Sequence, residues 1–201
     1  MFAPLPPHRL IGGRLSLDFV NASTATSVLS WEGLISFLGT ARIVSHERGT
    51  QLLTLPQSDP QAAEGLLLKA RRLSGNTRLA FSAVMRKQTV VPKWIEPINE
   101  ILQVTEGHDE LVLGGGVWRI EFIAREAGLD WLLAAIARSS AEIIAEGASA
   151  RVRLCANPNC ALFFYDDSRT HRRRWCSMAT CGNRSKVAAF ARKRSASRHA
   201  P

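Results

Sequence analysis

The sequence predicts a mainly α-helical protein, with a multihelical N-terminal domain carrying short β-hairpins over residues 1–150 and a small C-terminal module over residues 151–201. Three observations support this prediction. Apolar residues recur at three- and four-residue intervals through much of the first segment, which is the spacing of a helix face that packs on a core. Glycines separate two short runs rich in β-forming residues. The cysteines of the chain all lie in the second segment, at Cys155, Cys160, Cys176 and Cys181.

Capping residues support the first helices. Ser30 is a typical N-cap, and the apolar residues that follow it fall on one helical face, at Trp31, Leu34, Ile35 and Leu38. Asp59 before Pro60 predicts another helix start, because aspartate caps a helix well and proline is favoured in the first turn. The apolar spacing then continues to Val84. Ser74-Gly75-Asn76 could divide this stretch into two helices.

The remaining elements are shorter. One helix is predicted over about residues 96–105, with Pro97 in its first turn. Another is predicted to begin at Asp130 and to end at Gly147. Runs that alternate apolar and polar residues, or that are rich in β-forming residues, predict five short strands. These strands are Arg14–Asn21, Leu111–Leu113, Val117–Phe122, Arg151–Leu154 and Phe163–Tyr165. Leu111–Leu113 and Val117–Phe122 flank three glycines and are predicted to form a hairpin.

Positive charge is concentrated in the C-terminal module. Residues 151–201 hold 12 of the 26 Lys and Arg residues but only two of the 17 acids, so the module carries +10 and residues 1–150 carry −1. The two acids, Asp166 and Asp167, are expected to form turns or to pair with local arginines. Such a concentration of positive charge attracts polyanions, usually nucleic acid, although a basic tail can also serve only to keep a protein soluble. The candidate nucleic-acid contacts are Arg169, Arg172, Arg173, Arg174, Arg184, Lys186, Arg192 and Lys193.

The cysteine spacing is typical of a structural zinc site. Two pairs, each with four intervening residues, are separated by fifteen residues. Four thiolates form a closed tetrahedral set and leave no position for water or substrate. We therefore predict one structural zinc ion on the four cysteines, with reduced core cysteines or a redox pair as the alternatives. Asn157-Pro158-Asn159 predicts a tight turn within the first pair, and His171 is expected to be a surface residue rather than a ligand.

Residues beside the cysteines are candidates for supporting the metal site. Trp175 is expected to cover the zinc-bound sulfurs. Asn183 could donate to a thiolate or cap a backbone group, whereas Arg184 could donate to a zinc-bound sulfur or reach a phosphate. Val187 and Phe190 predict the buried face of a helix whose opposite face is basic.

Residues 151–194 resemble the zinc finger named after its CGNR motif, which is present here as Cys181-Gly182-Asn183-Arg184. The likeness includes both cysteine pairs, the Phe164/Asp166/Ser168/Arg169 run and Trp175–Met178. Gly12–Asn21 (GGRLSLDFVN) resembles the start of the ABATE domain, which precedes this finger in bacterial proteins assigned to stress-induced transcription regulation. The resemblance implies a mainly helical body, zinc on the four cysteines and a DNA-binding finger.

Two functions of different classes fit these observations. In the first, the protein is a DNA-binding transcription regulator whose finger contacts phosphates, while residues 1–150 sense a small molecule or form a homodimer. In the second, zinc only fastens the C-terminus to the body of a small-molecule-binding or protein-interaction module. We do not expect an enzyme, because no nucleophile–base spacing or phosphate-binding loop is present. The start of the chain lacks a signal-peptide pattern, no stretch could span a membrane, and clustered cysteines favour a reducing compartment; we expect a cytoplasmic protein without membrane contact.

Overall fold

Helices form most of the chain in the computed structural model, which describes residues 8, 10–24, 30–105, 107–114, 117–124 and 128–198. The helices are α1 (Leu15–Thr24), α2 (Trp31–Thr40), α3 (His46–Leu53), α4 (Leu55–Ser58), α5 (Pro60–Met85), α6 (Pro92–Val104), α7 (Trp131–Ala145) and α8 (Asn183–Arg198). Two antiparallel hairpins complete the fold, β1 (Gly107–Gly114) with β2 (Val117–Ala124) and β3 (Val152–Leu154) with β4 (Phe163–Tyr165). The predicted fold class is confirmed. None of the described helices combines the length and the apolar character needed to cross a membrane.

The predicted starts of α2 and α5 are confirmed by their caps. Ser30 and Asp59 each accept a hydrogen bond from the backbone N–H three residues further along the chain. Pro60 occupies the first turn of α5. This helix continues without a break through Ser74-Gly75-Asn76, where Ser74 and Thr77 are buried. Packing on the core therefore outweighs the weak helix propensity of that segment.

The boundaries of α6 and α7 follow from similar features. Helix α6 begins at Pro92, earlier than predicted, and Pro97 lies within it. Asp130 immediately precedes α7, but its carboxylate binds the ammonium of Lys69 at 2.6–2.7 Å rather than capping the helix. Gly147 adopts φ +55° just after α7 and ends it as predicted, because glycine enters the left-handed region without a Cβ clash.

The predicted strand at Arg14–Asn21 was wrong, since this segment forms helix α1. All side chains from Ser16 to Asn21 are buried, and α1 packs against α5, α7 and β4. A helix that is enclosed on every side has no polar stripe. The alternation of apolar and polar residues in α1 therefore does not reveal its helical period.

The C-terminal hairpin shares a core with the helical body. Leu17 and Val20 of α1 pack in one buried cluster with Val152, Phe163 and Tyr165 of β3 and β4. Phe81 and Val84 of α5 and Ile143 of α7 complete this cluster. A second cluster fills the body between α1, α2, α5, α6 and α7. The position of the C-terminal module is thus fixed by apolar burial against the first helix.

Candidate metal centre and nucleic-acid interface

The hairpin β3–β4 carries the first cysteine pair in its connecting loop. The backbone N–H of Cys155 donates to the carbonyl of Leu162 at 3.0 Å, which extends the strand pairing into the loop. Asn157 then closes a turn, because its carbonyl accepts from the N–H of Cys160 at 2.9 Å and its side chain accepts from the N–H of Asn159 at 3.1 Å. The predicted tight turn thus brings both sulfurs to one side of the loop.

The second cysteine pair lies around the start of α8. Cys181 belongs to a single π-helical turn, Met178–Gly182, in which the N–H of Gly182 donates to the carbonyl of Ser177 at 3.0 Å. A Cβ on Gly182 would collide with the Met178 side chain. The glycine of the CGNR motif thus leaves this space to the exposed Met178 side chain.

The four sulfurs have the spacing of a tetrahedral metal site. All four Sγ atoms lie within 4.8 Å of one another. The Sγ atom of Cys176 is 3.8 Å from that of Cys160 and 3.7 Å from that of Cys181. A zinc ion with bonds of about 2.3 Å to four sulfurs places neighbouring sulfurs about 3.8 Å apart. The cysteines are free thiols, and three of the four are buried. They form the site of a single structural zinc ion, as predicted.

The acidity of these thiols also fits a cation. Burial alone would raise the pKa of Cys155, but backbone N–H groups of Cys176 and Asn157 donate to its sulfur and bring that pKa below its usual value. Burial and the neighbouring sulfurs raise the pKa of Cys176 far above its usual value. Four thiolates so close together repel one another, so a divalent cation is what stabilises all four in the charged form.

Comparison with known protein families identifies this module. Residues 151–194 match the CGNR zinc finger. No curated protein is similar enough to the chain to count as a match. The CGNR finger accounts for the four cysteines, while the fold shows how it is attached to the helices.

Asp166 organises the loop between the two cysteine pairs of the CGNR finger. Its side chain is fully buried and accepts hydrogen bonds from the backbone N–H and hydroxyl of Ser168 and from the N–H of Arg173. The guanidinium of Arg153 lies 2.8 Å from the same carboxylate. Burial alone would raise the pKa of Asp166, yet these hydrogen bonds and the charge of Arg153 hold it below its usual value. The predicted role of this acid in a turn and an arginine pair is confirmed.

Arg173 differs from its two arginine neighbours in the sequence. Its guanidinium donates to the backbone carbonyls of Trp175 and Cys176 and lies 4.7 Å above the Phe164 ring. These contacts hold the loop against the metal site. These contacts give Arg173 a structural role in the finger, and its predicted contact with nucleic acid stays a prediction.

The residues predicted to support the metal take different positions. Trp175 is half-buried and packs against the cysteine cluster, as expected of a cover over the sulfurs. The Asn183 side chain donates to the carbonyl of Ala179 at 3.2 Å, which is a backbone cap rather than a thiolate contact. Arg184 is exposed and, within the described chain, donates no hydrogen bond to a cysteine. His171 is exposed and lies beside Arg151, away from the sulfur cluster.

Sequence reasoning did not foresee how Gly12–Asn21 meets the finger. The Asn21 side chain donates to the carbonyl of Phe163 and accepts from its N–H, both at 2.8 Å. The Asn21 amide therefore satisfies both backbone groups of Phe163, as the backbone of a neighbouring strand would. The N–H of Tyr165 donates to the carbonyl of Gly12 at 2.7 Å, and the N–H of Gly12 donates to Asp18 at 2.7 Å. The only sign of these contacts in the sequence was the pair of polar residues Asp18 and Asn21 among apolar neighbours.

Several basic residues were predicted to contact nucleic acid. Most of those whose side chains the structure describes are exposed. Within the described residues, the cations of Arg169, Arg172, Arg174, Arg184 and Lys186 are exposed and form no ion pair. Arg192 and Lys193 lie on α8, but their side chains fall outside the described set. The predicted buried face of α8 was wrong, because Val187 is 69% exposed and Phe190 is 62% exposed. Both apolar side chains therefore lie on the exposed side of α8.

Part of this basic surface lines an open groove, which we name the α8 groove. Its volume is about 660 Å³. The first cysteine loop forms one wall, the 174–175 segment another, and the exposed side of α8 a third. Its lining residues are Ala156, Asn157, Pro158, Asn159, Arg174, Trp175, Arg184, Ser185, Lys186, Ala188 and Ala189.

Replacing Asp166 by Asn should lower the free energy of unfolding by about 2–3 kcal/mol, because the variant no longer has a buried charged acceptor for several hydrogen bonds and leaves Arg153 unpaired. Urea denaturation of the zinc-loaded protein measures this change. Asp167→Asn is the matched control, since Asp167 is exposed and its closest charge contact, to Arg173, is 3.8 Å long. The control should change stability by less than about 0.5 kcal/mol. Equal effects in the two variants would contradict the role assigned to Asp166.

Proposed function

We propose that the protein binds nucleic acid, with DNA as the first candidate, through the exposed basic surface of its CGNR finger. The observation that carries this proposal is that some cations of the finger make internal contacts while others are exposed and form no ion pair. Arg153 and Arg173 are used internally, on a buried carboxylate and on backbone carbonyls. Among the described residues, five further predicted contacts, Arg169, Arg172, Arg174, Arg184 and Lys186, are exposed and form no ion pair. Arg174, Arg184 and Lys186 line the α8 groove, whose lining includes no carboxylate. A concentrated, unneutralised positive surface of this kind favours phosphate contacts and the release of counterions.

The rigidity of the finger supports the same function. Zinc, the Asp166 hydrogen bonds and the Arg173 contacts all fix the loop that carries Arg172 and Arg174. A loop whose backbone is already fixed in the free protein loses less backbone conformational entropy when it binds a polyanion. The basic residues are therefore presented as a preformed surface.

The regulatory part of the proposal rests on the resemblance of Gly12–Asn21 to the ABATE domain. We propose a transcription regulator of the cytoplasm, where four thiolates stay reduced. Residues 1–150 would then supply the binding of a small-molecule effector or a homodimer contact. A single finger contributes only a small recognition surface, so a second copy would raise both affinity and specificity.

Binding should depend steeply on salt and on the exposed arginines. We expect Arg172/Arg174/Arg184→Gln to weaken DNA binding and to reduce the slope of log Kobs against log salt. On duplex DNA the slope should fall by about 0.9 for each phosphate that the variant no longer neutralises. Fluorescence anisotropy across a salt series, with duplex and single-stranded oligonucleotides, measures both quantities.

The matched control removes the same charge from the helical body. Arg48/Lys93/Arg138→Gln replaces three exposed cations that lie on α3, α6 and α7. Its slope should equal that of the unmodified protein. An absence of binding at low salt, or an equal loss in both triple variants, would contradict the proposal and favour zinc as a purely structural fastening of an interaction module.

A further inference from the structure

We infer that the α8 groove binds an unpaired nucleobase, so that the preferred ligand of the finger is single-stranded nucleic acid. This inference rests on the proposed nucleic-acid function and names the form of the ligand. Its basis is the combination of one aromatic ring, amide side chains and cations in a single groove. Each of these groups matches one part of a nucleotide.

The aromatic component is Trp175. Its indole packs against the cysteine cluster and also lines the groove, so the metal site holds the ring in place. In the free protein the guanidinium carbon of Arg174 lies 5.2 Å from the ring centroid. A base that stacks on the indole gains more than this exposed cation–π contact provides. The base therefore takes the place of Arg174, whose guanidinium becomes available for a phosphate.

The polar components surround that ring. Arg184 and Lys186 of α8 line the groove and are exposed, so both cations are available for the phosphates beside a bound base. Asn159 lies on the opposite wall and is exposed, so its amide can bind the edge of a base. A groove volume of about 660 Å³ leaves space for a nucleotide rather than for a water molecule alone.

An unpaired base fits this arrangement better than a duplex does. In a double helix each base offers only its edge, because both of its faces are stacked on neighbouring pairs. A half-buried ring that lines a groove can stack only on a base whose face is free. Single-stranded nucleic acid offers such faces along its whole length, which is why proteins that bind it combine aromatic platforms with basic grooves.

A variant that fills the groove tests the inference without altering the metal site. Ala188 lines the groove and is exposed on α8, so Ala188→Phe adds bulk inside it. Val187→Phe adds similar bulk to the same helix at a position outside the groove lining and is the matched control. The probes are a labelled 12-nucleotide DNA strand, its duplex and the RNA strand of the same sequence, all at one salt concentration. Zinc content is measured for every variant.

We expect the unmodified protein to bind a single strand at least tenfold more tightly than the duplex. Ala188→Phe should weaken single-strand binding about tenfold and weaken duplex binding less than that, whereas Val187→Phe should change neither. Comparison of the DNA and RNA strands then shows which backbone is preferred. Duplex binding as tight as single-strand binding, or an unaffected Ala188→Phe variant, would overturn the groove inference while the proposed function stands. No binding to any probe would instead overturn the proposed function itself.

Discussion

Replacing Cys176 by Ser is expected to release zinc and to unfold the CGNR finger. Cys176 is buried, and its sulfur lies 3.7–3.8 Å from two other sulfurs. Its replacement therefore removes one of the four sulfur ligands of the zinc ion. Structural zinc binds to finger peptides with about 10–16 kcal/mol near neutral pH, and this binding drives their folding. Because β3 and β4 share a core with α1, the release of zinc should also lower the melting temperature of the body.

A zinc-release assay and a thermal melt together measure this result. Ser177→Ala is the matched control, since Ser177 is the next residue and its side chain makes no capping hydrogen bond. The control should keep one zinc per chain and an unchanged melting temperature. A Cys176→Ser protein with full zinc and a normal melt would show that the four-cysteine set is not what holds the finger together.

Replacing Asn21 by Leu should be the most damaging single change in the helical body. The substitution leaves the N–H and the carbonyl of Phe163 without their partner inside a buried interface. Each unsatisfied buried group costs about 1–3 kcal/mol, so the free energy of unfolding should fall by about 2–6 kcal/mol. The change is 142 residues away in sequence from the strand that it disrupts.

Two measurements separate this effect from a general loss of helix stability. Urea denaturation gives the free energy of unfolding, and amide hydrogen exchange shows whether the N–H of Phe163 loses its protection. Asn76→Leu is the control, because Asn76 lies on α5 and, among the described residues, its side chain bonds to its own helix alone, at the carbonyl of Arg72. If Asn21→Leu is no more destabilising than Asn76→Leu, the proposed attachment of the finger to α1 is wrong.

Local rules predicted those parts of the fold that are determined by nearby residues. The caps at Ser30 and Asp59, the glycine end of α7 and the four thiolates each depend on a few neighbours in sequence. Helix α1 could not be predicted in this way, because its burial on every side removes the periodic pattern. The exposure of Val187 and Phe190 likewise depends on the direction in which α8 leaves the finger.

The arginine run shows the same limit within the candidate site. Arg172, Arg173 and Arg174 are identical in type and adjacent in sequence. Only the tertiary structure separates Arg173, which binds the carbonyls beside the metal site, from Arg174, which lies over the Trp175 ring. Charge alone predicted a nucleic-acid contact for each of the three. The fold gives Arg173 internal contacts and leaves Arg172 and Arg174 exposed.

We propose that zinc assembles a surface that binds nucleic acid. The most direct test is an anisotropy titration of a labelled DNA strand with zinc-loaded protein, with protein stripped by a chelator, and with stripped protein given one equivalent of zinc. We predict salt-dependent binding in the first and third samples and at least a tenfold loss in the second. Equal binding with and without zinc, or no binding by the zinc-loaded protein at low salt, would contradict the account.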